Sequence, residues 1–380
     1  MSGIVRVDSG HLRGRSERPS AADGGGPFFG PVEGERRIVT EVGTDPLGVD
    51  AGEPAEAAAI PPDALDHLVT TAARAPSVHN TQPWRFRLVG GVLELQADPR
   101  RGLAQLDPDG REMLVSCGAA LFGLRLAVRE LGYRPAVELL PSPAQPDLLA
   151  RVRLGAALPI RPDERALVAA VRRRHTRRGA FTAEPLPVGL LAGLQRDAEA
   201  EGAALVLINQ PRPYRRLAAL VAAAERAQRR QPILRAELRA WTRPAGSPAR
   251  DGVPARAYPA CPARFAQGLV LRDFDLRRGW GLLDSGDSPP VATAVLTTLG
   301  DDRADWLRAG QALHRVLLRA ASNWVFASLH TQPLEIAPLR AAVRAQLALP
   351  GAPQMLLQLG RAHIAPLTAR RPIGDVLIQP

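Results

Sequence analysis

Lysine is absent from the 380 residues, so all 49 basic side chains are arginine. That removes every mechanism built on a lysine, from Schiff-base chemistry to the lysine of a Walker-type phosphate loop. Cysteine is nearly absent as well. Cys117 and Cys261 are too few for a disulfide framework or a cysteine-rich metal site. The seven histidines are scattered, with neither an H-E-x-x-H string nor a tight His/Cys cluster, so no metal is expected. A G-x-S-x-G nucleophile elbow is missing too. No run of 18 uncharged apolar residues occurs, which argues against a transmembrane helix and a membrane partner. The first residues lack a basic stretch leading into an apolar core, so no signal peptide is read and a cytoplasmic location is expected.

What is present is ordinary for a soluble globular chain: 46% apolar and 23% charged residues. The length suits two domains or one domain with a duplicated half. A net charge of +11 raises the question of nucleic acid. The arginines, however, are spread from Arg125 to Arg371, and aromatic residues amount to only 4%. Without an aromatic-interleaved basic patch, a nucleic-acid partner is not expected.

Along the chain, residues 1–58 are rich in Gly, Ser, Glu and Asp and are expected to form a disordered tail. Pro61-Pro62-Asp63 opens a helix that runs to Ala73. Two strands, Arg85–Val89 and Val92–Ala97, are expected to join at Gly90-Gly91 as a hairpin. Asp107-Pro108-Asp109-Gly110 is a turn that offers cap oxygens to a long helix over Arg111–Leu131, stopped by Gly132. Extended runs at Ala136–Leu140 and Leu148–Leu154 follow. Further helices are expected at Pro162–Arg172, Leu186–Glu201, residues 213–240, Asp305–Phe326 and Ile336–Leu347. Strands are expected at Ala204–Ile208, Val291–Leu299 and Gln354–Leu359. The Gly- and Pro-rich interval 243–290 is long for a plain connection and reads as a lid.

A repeat lies inside this order. Cys117-Gly118-Ala119-Ala120-Leu121 in one long helix parallels Ala309-Gly310-Gln311-Ala312-Leu313 in the other. Each helix is followed by a strand ending at glycine, Gly155 and Gly360. Matched halves of this kind suggest an intrachain pseudo-dimer.

Two stretches could carry chemistry. Pro76, Ser77, Val78, His79 and Asn80 fill a helix-to-strand turn closed by Gln82-Pro83-Trp84. Polar groups on a loop held by a scaffold are the usual place for binding, although capping residues leading into a strand would look the same. In the second, Arg174, Thr176 and Arg178 alternate, and on an extended segment they project from one side. Two guanidiniums and a hydroxyl suit a phosphate monoester, and a solvated basic surface is the competing reading. Cys117, in an apolar helix, reads as packing.

These residues carry a resemblance. Ala75-Pro76-Ser77-Val78-His79-Asn80-Thr81-Gln82-Pro83-Trp84 resembles the Ala-Pro-Ser-x-x-Asn-x-Gln-Pro-Trp loop of the nitroreductase superfamily, which helps to hold FMN. Arg174-His175-Thr176-Arg177-Arg178 resembles that superfamily's Arg-x-Ser-x-Arg/Lys signature for the FMN phosphate, with Thr176 in place of serine. Arg370-Arg371-Pro372 resembles the C-terminal basic position that completes the phosphate site. Gln332-Pro333-Leu334-Glu335 also follows the pattern. Ser116–Leu121, Trp306–Leu313 and Arg370–Leu377 are similar to strings of the Acg family, and the resemblance covers roughly residues 60–380. One departure is Asn323-Trp324-Val325, where relatives carry small residues and a Gly-Leu pair. A tryptophan there would crowd the flavin neighbourhood or replace a contact.

The resemblance implies an α+β, nitroreductase-like fold of two fused halves, residues 59–160 and 161–380, with 243–290 as the lid. Here the loop precedes the arginine motif, the order of a fused pair in which each half supplies part of one flavin site. The implied cofactor-binding residues are Pro76, Ser77, Val78, His79, Asn80, Arg174, His175, Thr176, Arg178, Glu335, Arg370 and Arg371. The implied activity is hydride transfer from NAD(P)H through FMN to a nitroaromatic or quinone-type small-molecule acceptor. The chemistry rests on the cofactor, with no catalytic side chain needed. A monomer is implied, because the dimer is already fused. The alternative is a stress-response protein that sequesters FMN behind a closed lid with little turnover.

Overall fold

The computed structural model describes residues 59–260, 269–282, 292–362 and 368–378. The expected tail over 1–58 lies outside the described residues, as do parts of the expected lid. Helix α1 (Pro62–Ala73) carries proline in its first turn, where a missing N–H costs nothing. After the loop come β1 (Trp84–Val89) and β2 (Val92–Ala97). They pair from Trp84↔Ala97 to Val89↔Val92. Gly90 and Gly91 both take positive φ, 55° and 79°, as a two-residue hairpin of this hand requires. Both Asp107 carboxylate oxygens accept backbone N–H groups, from Glu112 and Met113, and so cap α2 (Arg111–Glu130). Then follow β3 (Tyr133–Leu139), β4 (Leu148–Ala157) and α3 (Pro162–Ala170).

The second part contains α4 (Leu190–Glu199), β5 (Ala204–Leu207), α5 (Pro211–Arg230), α6 (Pro232–Ala240), β6 (Thr242–Arg243) and β7 (Val253–Pro254). It continues through β8 (Ala292–Thr298), α7 (Arg303–Ser322), β9 (Phe326–Leu329), α8 (Ala337–Gln346) and β10 (Ala352–Gly360). A last turn of helix, α9 (Ile373–Val376), leads into β11 (Leu377–Ile378).

Two sheets share one wiring. The first has the strand order β11-β1-β2-β4-β3 and the second β5-β8-β10-β9. Reading β1, β2, β3 and β4 as the counterparts of β5, β8, β9 and β10 gives the same order, with every equivalent pair antiparallel. In each sheet a long helix, α2 or α7, lies in sequence between the second strand and the third. Only β11 is extra: it joins the first sheet beside β1, in parallel.

The long helices meet through the two glycines of the sequence repeat. A Cβ added to Gly310 would lie 2.0 Å from the Val115 carbonyl oxygen, and one on Gly118 would lie 2.2 Å from that of Leu307. Each glycine therefore sets its helix against the backbone of the other. Apolar clusters form on either side of this crossing. Trp84, Phe86 and Leu121 belong to one, and Leu194, Val316 and Leu357 to the other.

Several arginines turn out to be structural. Arg129 is buried with its Nε 2.9 Å from Glu164, and Arg315 donates to Asp197 (3.0 Å) and Glu201 (2.9 Å). Some elements differ from expectation. The single helix expected over 213–240 breaks between α5 and α6, because Pro232 cannot continue a hydrogen-bonded helix. Helix α7 ends at Ser322, so Phe326 begins β9. Trp324 does not crowd the cleft described below. Its backbone turns left-handed (φ 57°) after α7, its side chain is 47% exposed, and the Arg173 guanidinium stacks on it at 4.1 Å. Among the described residues, no helix is long and apolar enough to cross a membrane, and no cluster of His, Cys, Asp and Glu could hold a metal ion.

Candidate functional site

The loop between α1 and β1 is strained and heavily tied down. His79, Asn80 and Gln82 all take positive φ (46°, 57° and 51°). For non-glycine residues this costs roughly 1 kcal/mol or more each. Three neighbours hold it. From α2, the Ser116 hydroxyl accepts the Val78 N–H at 3.1 Å. From the 242–254 segment, the Gly252 and Arg250 carbonyls accept the Asn80 and Gln82 side-chain amides at 3.0 and 2.8 Å. From the C-terminal segment, Arg370 donates to Asn80 Oδ1 at 3.1 Å, and the Arg371 N–H to Gln82 Oε1 at 2.8 Å. Inside the loop, the Ser77 hydroxyl accepts the Gln82 N–H at 3.0 Å.

The arginine turn follows α3 and runs beside β9. Thr176 pairs with Ala327, and the Arg177 N–H donates to the Ala327 carbonyl at 2.8 Å. This fixes which side chains turn inward. Thr176 and Arg178 face the same cleft as Pro76, Ser77, Val78 and His79. The two candidate stretches therefore meet at one cleft, which encloses about 730 Å³ of space with its open mouth included. Glu112, Val115 and Ser116 of α2, Leu313 of α7, Leu329 of β9 and Met355 of β10 complete its walls, and Leu271, Arg272 and Phe274 close one side.

Charge around this site is one-sided: Arg178 lines the cleft, while Arg174 and Arg370 stand outside its lining. Arg174 is buried, and only its Nη2 has a partner, the Arg74 carbonyl at 3.3 Å; its Nε and Nη1 have none among the described residues. Burial and the neighbouring Arg178 and Arg74 lower its pKa to about 10. Burial alone brings Arg178 to about 10 as well. Arg178 makes no hydrogen bond among the described residues; its guanidinium lies 5.5 Å from the Phe274 ring centroid. Arg370 donates to the Arg74, Ala75, Thr368 and Ala369 carbonyls, and burial with Arg174, Arg74 and Arg178 holds its pKa well down. No carboxylate pairs with Arg174, Arg178 or Arg370 among the described residues. Guanidiniums that are buried (Arg174) or half-buried (Arg178, Arg370), with no acid beside them, suit an anion.

His79 sits at the other edge. Both of its ring nitrogens are buried without a partner, and its ring meets Phe274 edge-on at 5.4 Å between centroids. Burial first, then Arg272 and Arg178, keeps it neutral by lowering its pKa well below the usual histidine range. Glu112 is shifted the other way: burial and the Glu335 carboxylate raise its carboxyl well above the ordinary range.

The remaining expected residues stand back from the cleft. Asn80, Arg370 and Arg371 clamp the loop from behind. His175 stacks on Phe326 at 4.2 Å and bonds the Arg173 carbonyl through Nδ1, which leaves Nε2 without a partner. The Glu335 carboxylate is saturated by Arg272, Gln228 and Thr331. It anchors the segment that carries Phe274. Sequence reasoning passed over Glu112, Arg272 and Phe274. Glu112 stands one helical turn before Ser116, so the spacing of α2 could have pointed to it. Nothing local marks Arg272 or Phe274.

A family profile described as "Nitroreductase family" matches residues 55–114. Over longer stretches, "Putative NAD(P)H nitroreductase Rv3131" of Mycobacterium tuberculosis is 38% identical over 319 residues, covering 82% of this chain and 90% of the relative. "Putative NAD(P)H nitroreductase acg" of the same organism is 31% identical over 320 residues, covering 83% and 95%. Among solved structures, the FMN and NADPH-dependent nitroreductase NfnB from sphigopyxis sp. strain HMH is 18% identical. It covers 56% of this chain and 98% of its own, with a TM-score of 0.36. The sequence relatives carry the family relation.

Proposed function

The chain belongs to the nitroreductase family, in the group that includes Acg, and from that premise we propose that it is an NAD(P)H-dependent oxidoreductase with FMN in its cleft. The observation that carries the reading is that Thr176 and Arg178, which has no carboxylate partner among the described residues, open on the same cavity as the Pro76–His79 loop, with the buried, under-partnered Arg174 in the same turn. FMN, when bound, supplies the hydride chemistry, passing two electrons from NAD(P)H to a nitroaromatic or quinone-type acceptor.

The chain's own groups bind and orient. Arg174, Arg178 and the Thr176 hydroxyl hold a phosphate monoester through charge-assisted bonds. Binding would give the spare Arg174 N–H groups the partners they lack. Pro76–His79 present a rigid wall, since every turn of the loop is fixed from behind. Neutral His79 can offer an N–H or a lone pair without adding charge. Phe274 shields this part of the cleft from water. The loop comes from the first half of the chain and the arginine turn from the second, so we read the halves as a fused pseudo-dimer with one flavin site. That makes a monomer sufficient.

A second reading has one observation in its favour. Phe274 packs against both His79 and Arg178, so a permanently closed segment would sequester FMN without turnover. Stopped-flow mixing of the FMN-loaded protein with NADH and with NADPH separates the two. Flavin bleaching is the expected result, and a flavin that stays oxidised with both donors overturns the enzyme reading.

A further inference from the structure

A second cavity, strongly basic, lies beside the cleft. It encloses about 1,130 Å³ with its open mouth included and is formed by α5, α6 and the segment after Arg272. Arg226, Arg229 and Arg230 reach it from α5, at the spacing that puts residues on one helix face. Arg235 and Arg239 come from α6, one turn apart. Arg277 enters from the third side, on a turn where Leu276 and Arg277 both hold positive φ (49° and 64°). That strained turn is held by two buried carboxylates. Asp273 accepts the Leu276 N–H at 2.9 Å, and Asp275 accepts those of Gly279, Trp280 and Gly281. Strain kept in place by such anchors marks a position with a use.

Six arginines face one carboxylate. Asp273 pairs with Arg229 at 3.3 Å; the other five are exposed and make no side-chain hydrogen bond or ion pair among the described residues. The basin also neighbours the cleft through shared wall residues. A smaller cavity shares Arg272 with the cleft, and shares Arg229, Arg235, Asp273 and Leu276 with the basin.

We propose that this basin takes the phosphate end of the nicotinamide nucleotide, in particular a 2′-phosphate, so that the chain uses NADPH in preference to NADH. The inference rests on the oxidoreductase reading above and deepens it. Guanidinium forks match phosphate oxygens two at a time, and a dianionic phosphomonoester is the group that separates the two donors. The basin is concave, and among the described residues its lining has no aromatic rings on which the successive bases of a strand could stack. Both features favour a small phosphorylated ligand over a nucleic-acid strand.

The test uses the FMN-loaded protein and two variants, Arg277→Asn, which suits the left-handed turn, and Arg230→Gln/Arg235→Gln. Steady-state kinetics give the ratio of kcat/KM for NADPH over NADH, and adenosine 2′,5′-bisphosphate and 5′-AMP are titrated separately. The expected result is a ratio above about ten that falls roughly tenfold in the double variant. Competition by the bisphosphate but not by 5′-AMP is also expected, weakening as salt rises. A ratio near one, or one that neither variant moves, overturns the inference while flavin bleaching by both donors leaves the oxidoreductase reading intact. If neither donor bleaches the flavin, that reading falls. The bisphosphate titration then judges the basin alone: binding lost in the double variant supports it, and no binding overturns it. Tighter retention of duplex DNA or an acidic peptide than of the bisphosphate also overturns it.

Discussion

Replacing Gly310 by alanine tests how the two long helices, α2 and α7, are held together. The added Cβ would sit 2.0 Å from the Val115 carbonyl oxygen, 2.7 Å from the Ala119 nitrogen and 2.8 Å from the Gly118 Cα. All three are backbone atoms of α2 and cannot rotate away. Real Cβ contacts stay beyond 3.0 Å, so the helices must part by about 1 Å. Overpacking of this kind costs about 1–3 kcal/mol and more where backbone must shift. The intrinsic helix preference of alanine over glycine returns about 1 kcal/mol. A net loss of about 2 kcal/mol is expected, or roughly 2–3 °C in Tm for a chain of this length. The control is Gly193→Ala in α4, where the new Cβ meets only flexible side-chain atoms, Arg319 at 3.4 Å and Arg196 at 4.0 Å. There the propensity term stands almost alone, and stability should rise by about 0.5–1 kcal/mol. Urea titration of both variants provides the comparison. Because Val115, Ser116 and Leu313 of these helices line the cleft, Gly310→Ala should also retain less flavin. A Gly310→Ala protein as stable as its parent would refute the crossing as the organising contact.

Three further outcomes are expected. Arg174→Ala should weaken FMN binding by about 1.5–3 kcal/mol, the range for a hydrogen bond to a charged group. It should not lower the stability of flavin-free protein, since it removes a buried charge surrounded by other cations; unchanged flavin retention would refute the phosphate assignment. His314 is buried with Nδ1 on the Ala119 carbonyl, and burial together with Arg174 lowers its pKa to about 3. Its unfolded form takes up a proton below about pH 6.5 while the folded form does not, so it contributes stability above that pH which is lost as pH falls. Raised carboxyls such as Glu112 act in the opposite direction. The readout is therefore the difference made by His314→Gln, which should remove about 2 kcal/mol of acid destabilisation between pH 6.5 and 5 in urea titrations. An unchanged pH slope would refute the neutral assignment. Cys117, buried with its thiol on the Pro83 carbonyl and its pKa pushed far up by burial, should resist alkylation until the protein unfolds. Mass mapping of rapid labelling at Cys117 would contradict this.

Much of the fold can be read from local chemistry. The Gly90-Gly91 hairpin, the Asp107 cap and the Pro62 helix start each follow from a residue with few backbone options. The Gly118 and Gly310 strings also gave the repeat, and these glycines are the residues that touch. The strand β9 was hidden because Phe326-Ala327-Ser328-Leu329 continues the apolar rhythm of α7, and only the left-handed turn at Trp324 separates them. At the site, the loop and the arginine turn were visible because their polar residues serve no helix or strand. The division of labour within them was not. Arg370 and Arg371 carry the same donors as Arg174, and only tertiary contacts decide which are spent on the loop. Phe274 and Arg272 reach the cleft from far along the chain, and no periodicity encodes that.

The central claim, that the loop of the first half and the arginine turn of the second make one flavin pocket, has a direct measurement. Parent protein and an Arg174→Ala/Arg178→Ala variant are purified, incubated with FMN and separated from unbound flavin, and flavin absorbance is then read per chain. One FMN per chain in the parent and strongly reduced flavin in the variant is the expected result. A parent protein that stays colourless, or a variant that keeps its flavin, would contradict the account.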